Sequence, residues 1–268
     1  MTRTIPQLCG SISSRVSPSG LGVKMHEAGY QAAGVDFKYV SAETHDLRAT
    51  VGAFVELGFR GFAVSMPFKR EVLSLLAEVS PDTHAIGACN TVVNNGGWLT
   101  GYNTDWRGAM DALRESGVHE PGRALVIGAG GAARALIFGL KESGWHVELA
   151  ARNLAAATAV ATDFDLPRPW SHDAEVIPDI DLLVNATPNI DISEGFLAPE
   201  RFPDLKAVFD VVFNPSATPL CNQAARLGLI SVPGWLMLLH QAMHQFALYT
   251  GLEAPAAAMR DALLKNLR

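Results

Sequence analysis

Gly128-Ala129-Gly130-Gly131-Ala132-Ala133 joins an apolar run at 124–127 to a helical pattern at 131–143, and no other stretch constrains the fold as much. The run of Ala, Leu, Val and Ile reads as a buried strand, and the apolar residues after the glycines recur at helical spacing. Between them, the first glycine permits a tight turn and the second lets backbone approach a pyrophosphate. The helix N-terminus adds amide donors and a positive dipole end. Ala133 stands where a third glycine is often found, and a residue that small still allows close helix–strand packing. Strand, turn and helix in this order belong in a parallel α/β sheet, and the glycine pattern points to a dinucleotide. Gly128, Ala129, Gly130, Gly131 and Ala132 are therefore candidate cofactor-binding residues.

The strand expected next, at 146–150, runs into Ala151-Arg152-Asn153. An NAD site usually places an acidic residue here to accept from the ribose 2′-hydroxyl. Arg152 instead suits a 2′-phosphate, which makes NADP the expected cofactor; the competing reading is a solvated surface arginine. Further apolar runs at 182–184, 207–212 and 230–232 continue a Rossmann-like doubly wound sheet. Asn185 and Thr187 close one of these strands. They either touch the nicotinamide end of the cofactor or simply cap and turn the chain.

Ahead of this unit, strand-like runs at 8–12, 37–40 and 62–64 alternate with helical patterns at 21–33 and 46–57, which predicts a parallel or mostly parallel α/β layer. A helix at 105–116 leads away from it, and a new unit begins near Pro121-Gly122. After Gly234 the chain reads as two helices, 236–250 and 255–267. Gly251 is placed to end the first and Pro255 to open the second. A chain of 268 residues suits two modest cores better than one.

Composition narrows the partners. Net charge is −6, from 21 basic and 27 acidic residues with no basic block, so nucleic acid is not an expected partner. No apolar run is long enough to span a membrane. Met1-Thr2-Arg3-Thr4-Ile5-Pro6 lacks the apolar segment of a secretory signal, so a cytoplasmic location is expected. Cys9, Cys89 and Cys221 match neither a disulfide framework nor a zinc motif and read as reduced, mostly buried thiols. His240 and His244 share a helical face, yet no acidic third ligand at suitable spacing accompanies them, so no metal is expected.

Two polar positions remain. Lys69 follows a predicted strand in Val64-Ser65-Met66-Pro67-Phe68-Lys69, and Asp105 opens a predicted helix after Gly101-Tyr102-Asn103-Thr104. Clefts form at strand ends in α/β sheets. An ammonium beside a carboxylate could exchange a proton with the oxygen of an alcohol being oxidised or a ketone being reduced. A surface lysine and a helix-capping aspartate explain the same residues without chemistry.

These segments, with Gly87-Ala88-Cys89-Asn90-Thr91, Asn185-Ala186-Thr187 and the stretch from Gly234 to Ala242, resemble signatures of the shikimate dehydrogenase family over most of the chain. The resemblance implies that Lys69 and Asp105 are the catalytic pair, and that Asn90, Asp105 and Gln241 bind hydroxyls of a cyclic hydroxy acid. Ser65 stands for the family's usual threonine, and Thr187 and Gly234 join the cofactor residues. It further implies an N-terminal α/β substrate domain (1–104 and 236–268), completed by C-terminal helices, around a Rossmann-like NADP-binding domain (105–235). Hydride would pass between the substrate's C3 carbon and NADP, interconverting shikimate and 3-dehydroshikimate. The state would be monomer or homodimer.

Two departures mark a divergent, shikimate dehydrogenase-like branch. Ser17 of the family's carboxylate-binding serine pair is present, but Arg15 replaces the other, and its charge suits the substrate carboxylate. Phe213 stands for a tyrosine. Quinate dehydrogenase, or a weakly catalytic NADP-binding regulatory module, is the alternative.

Overall fold

The computed structural model describes residues 5–15, 20–171, 179–191 and 197–267, and its contacts divide the chain into two units. The first comprises residues up to 104 together with 241–267; the second comprises 105–240. The family resemblance implies a later boundary at 235/236, and the contacts divide the chain at 240/241.

In the first unit, β1 (Gln7–Ser13), α1 (Leu21–Ala33), β2 (Phe37–Glu43), α2 (Leu47–Glu56) and β3 (Gly61–Val64) follow the expected alternation. Asp46 does not extend α2 but caps it, accepting from Ala49 N at 2.9 Å. The chain continues through β4 (Glu78–Val79), α3 (Pro81–Ile86), β5 (Thr91–Asn95) and β6 (Trp98–Tyr102) to build a six-stranded sheet in the order β2-β1-β3-β5-β6-β4. The layer is mostly parallel, with one strand of the six reversed. Strands β2, β1 and β3 are parallel, but β5 runs antiparallel to both β3 and β6. The β5–β6 pair has a local cause: Gly96 and Gly97 both take positive φ, 63° and 95°, and make a two-residue hairpin that needs no crossover helix. Ile12, Phe54, Phe62, Val64 and Val72 anchor one core of this unit.

The second unit runs through α4 (Asp105–Glu115), β7 (Arg123–Ile127), α5 (Gly131–Glu142), β8 (His146–Ala150), α6 (Leu154–Asp163), β9 (Leu182–Asn185), β10 (Ala207–Asp210), α7 (Pro219–Arg226) and β11 (Ile230–Pro233). Its five strands are all parallel, in the order β11-β10-β9-β7-β8. Side chains alternate across the sheet. Ala124, Val126, Leu182 and Val184 pack on one face with α4 and α5, while Leu125, Ile127, Leu183 and Val208 pack on the other with Leu220 and Ala224 of α7. Strands buried on both faces explain the unbroken apolar runs, and the fold is doubly wound as expected. The order reverses between β7 and β9, which is where open α/β sheets form their binding crevice.

Helix α8 (Gly234–Thr250) begins in the second unit, and its later turns belong to the first, as does α9 (Ala256–Leu264), which packs on α1. All three cysteines are buried, and none forms a disulfide among the described residues. Among the described residues no helix is long and apolar enough to cross a membrane.

Candidate active site

The β5–β6 hairpin is the local device that assembles the polar site of the first unit. Its register pairs Thr91 with Tyr102, so Asn90, just before β5, lies beside Asn103 and Thr104, just after β6. The Asn90 side chain uses that proximity. Its Oδ1 accepts from Thr104 N at 2.7 Å and from Thr91 Oγ1 at 2.9 Å, and its Nδ2 donates to Thr104 Oγ1 at 2.9 Å. A longer bond, 3.4 Å, runs from Nδ2 to Gln241 Oε1 on α8. At 3% exposure, an unmet Asn90 amide would cost more than these bonds contribute singly, so the cluster is set as a unit.

The lysine segment is tied to the same place through backbone. Val64 N donates to Asn90 O at 2.8 Å, and Cys89 N donates to Lys69 O at 2.7 Å. Lys69 is half-buried, and the buried Phe68 and Val72 on either side hold its stretch of chain against the core. Ser65 is exposed at the end of β3, its N–H donating to Ile12 O. Asp105 is the next residue after Thr104. It is the first residue of α4 rather than a cap preceding it, and it is only 5% exposed. The helix's N-terminal amides and dipole favour an anion there. Arg15 is exposed just past β1, and Ser17 lies outside the described residues.

In the second unit, the glycine loop follows β7 at the strand-order reversal. Gly128 adopts φ +124°, and a Cβ there would lie 3.0 Å from Ala186 O and 3.1 Å from Thr187 Cγ2, so the loop and the end of β9 need this glycine to pass so closely. At Gly130, by contrast, nothing lies within 4 Å of a Cβ position, and that residue is exposed at the start of α5. Open backbone at a helix N-terminus fits a pyrophosphate. Ala129, Gly131 and Ala132 are half-buried around it, while Ala133 is fully buried where helix meets strand. Arg152 is exposed two residues beyond β8, and the next residue, Asn153, caps α6 by accepting from Ala156 N. The residues present therefore suit a dinucleotide carrying a 2′-phosphate.

Other positions also make contacts within the fold. Asn185 turns the chain: its Oδ1 accepts from Thr187 N at 3.0 Å and Thr187 Oγ1 at 2.7 Å, and its Nδ2 donates to Asp210 Oδ1 at 2.9 Å. Gly234 is required sterically, since a Cβ would sit 2.5 Å from Val211 O. His240 Nε2 lies 2.9 Å from Glu115 Oε2. Sequence reasoning overlooked Asp210, a fully buried carboxyl at the end of β10 that burial pushes above the usual carboxylate range. It also overlooked the two-glycine turn that makes the hairpin, although Asn95-Gly96-Gly97 is a hairpin signal.

Comparisons with known proteins point to one family. Family models described as the shikimate dehydrogenase substrate binding domain and the shikimate 5'-dehydrogenase C-terminal domain match residues 12–92 and 234–264. The chain is 38% identical over 250 residues to a shikimate dehydrogenase (NADP(+)) of Natronomonas pharaonis, covering 91% of this chain and 93% of that one. A shikimate dehydrogenase-like protein of Haemophilus influenzae is 34% identical, covering 91% and 90%. Shikimate 5-dehydrogenase from Thermus thermophilus, solved in complex with NADP(H) and shikimate, superposes with a TM-score of 0.87 at 34% identity, covering 98% of this chain and 100% of that one.

Proposed function

The chain belongs to the shikimate dehydrogenase family, and from that premise we propose that it interconverts shikimate and 3-dehydroshikimate with NADP. It is an NADP-dependent oxidoreductase. The observation that carries the proposed site is the convergence on Asn90. The lysine segment, the residue before Asp105, and Gln241 are all bonded to Asn90 or to its neighbour Cys89.

Hydride exchange with the substrate's C3 carbon is the chemistry that NADP supplies when bound. The chain's own residues handle the proton and the orientation. Oxidising an alcohol removes a proton from its oxygen, and reducing the ketone returns one. Lys69 carries that proton, and the Asp105 carboxylate holds the reacting hydroxyl. Asn90, Gln241 and Ser65 bind the ring hydroxyls. Ser17 and the Arg15 guanidinium take the substrate carboxylate, a charge-assisted contact stronger than a serine hydroxyl alone provides. Gly128, Ala129, Gly130, Gly131 and Ala132 receive the pyrophosphate, Arg152 the 2′-phosphate, and Thr187 and Gly234 line the remainder of the cofactor's path. The substrate domain is 1–104 with the later turns of α8 and α9, and the cofactor domain lies between.

The test is a spectrophotometric screen of shikimate and quinate with NADP and NAD. Reduction of NADP by shikimate is expected, and Lys69→Ala should lower kcat by about 10²- to 10⁴-fold with a far smaller change in KM. NADP binding without turnover of either acid would overturn the assignment.

A further inference from the structure

Hydrogen bonds continue from Asn90 into the core of the first unit. Gln245 follows Gln241 by one turn of α8, is 2% exposed, and donates through Nε2 to Thr91 Oγ1 at 3.0 Å. Its Oε1 faces His26 Nε2 at 3.3 Å. His26 is 1% exposed and stacked on Tyr39, with ring centroids 4.3 Å apart and planes 1° apart. The Thr91 hydroxyl has two acceptors for its single proton, Asn90 Oδ1 at 2.9 Å and Thr104 Oγ1 at 3.1 Å, and with the proton on either it accepts from the Gln245 amide. The Gln245 carbonyl then faces His26, whose Nε2 carries the hydrogen. Nδ1 is left as a bare lone pair, and it is the ring nitrogen without a hydrogen-bond partner.

Two rungs therefore join α8 to the start of β5. The outer rung, Asn90 to Gln241, is 3.4 Å long, near the limit of a useful hydrogen bond. The inner rung, Thr91 to Gln245, is 3.0 Å long and buried, where low dielectric strengthens it. Adjacent residues on one side meet residues one helical turn apart on the other, so the inner rung sets the register in which the outer pair can meet. We propose that Gln245 is a positioning residue for substrate binding, which, braced by His26 and bonded to Thr91, holds α8 so that Gln241 stands at Asn90. This rests on the reading that Asn90 and Gln241 bind substrate hydroxyls.

The test compares KM for shikimate at saturating NADP in Gln245→Leu, Thr91→Val and Thr91→Ser, beside Asn90→Ala and Gln241→Ala. Loss of one buried orienting bond should raise the shikimate KM about 5- to 10-fold in Gln245→Leu and Thr91→Val. The KM for NADP and kcat should stay within about twofold, and Thr91→Ser, which keeps the hydroxyl, should restore the wild-type KM. Should Gln245→Leu fail to fold, Thr91→Val and its serine rescue carry the same comparison. If Asn90→Ala and Gln241→Ala raise KM while Gln245→Leu and Thr91→Val lower only the melting temperature, the positioning role is overturned and the site stands. If Asn90→Ala and Gln241→Ala leave KM unchanged, the site itself is wrong and the proposal goes with it.

Discussion

Burial among Tyr30, Tyr39 and Tyr249 pushes the His26 imidazole down to about 4, against small opposing effects from the Gln245 hydrogen bond and Glu27. The consequence is a pH-dependent stability with a definite sign. Between about pH 6.5 and 4 the unfolded chain binds a proton on this residue that the folded chain refuses, so stability falls as pH falls through that window. The whole drop is worth about 3 kcal/mol at 1.36 kcal/mol per pKa unit. His26→Phe keeps a ring against Tyr39 and removes the titration. Urea unfolding at several pH values should then give a plot of stability against pH that is flatter by about that amount; parallel plots for the two proteins would refute it. None of this was legible in the sequence. Lys69, Asp105, Asn90 and Gln241 sit in short recognisable motifs. His26, by contrast, contacts a residue 219 positions away and Thr91 one 154 positions away, and nothing local marks either.

Among the elements, the buried strands and the long helices follow from apolar runs and helical spacing, because burial on both faces of the second sheet leaves little else a run like 182–184 could be. The short elements escaped. Strand β4 is two residues long and β5 carries Asn94 and Asn95, so composition argues against each while tertiary contacts hold it. Two glycines show how element and context divide the work. In β3, a Cβ on Gly61 would lie 2.5 Å from the Tyr249 ring and 2.7 Å from Val92 O, and neither a packed ring nor a backbone carbonyl can yield. In α2, Gly52 is exposed with nothing within 4 Å. Gly61→Ala should therefore cost about 2 kcal/mol by overpacking, while Gly52→Ala should stabilise by about 0.5–1 kcal/mol through helix propensity. Opposite shifts in the urea midpoint are the signature, and equal shifts would show that the strand yields.

At the scale of the whole molecule, the two units differ in how their sheets are finished, and that difference matches the proposed division of labour. The second unit is an all-parallel sheet covered on both faces, with its glycine loop at the one place where the strand order reverses. The first is a mixed sheet whose hairpin carries Asn90 and Thr104 at its open end. The alternation of strands and helices made two α/β units readable in advance, but the boundary inside α8 was not, because a continuous helix carries no break in periodicity there. If the cofactor belongs to the second unit, its binding energy must appear there first. NADP at about 100 times its dissociation constant stabilises the state that binds it by about 2.7 kcal/mol, equivalent to roughly hundredfold slower exchange of amides that open only with that unit. Hydrogen-exchange mass spectrometry with NADP alone should therefore slow peptides of β7, α5 and β9 strongly and those of β1 and β2 far less. Shikimate alone should favour peptides spanning β5, β6 and the last turns of α8. Equal protection of both units by NADP would remove the basis for assigning the cofactor to the second.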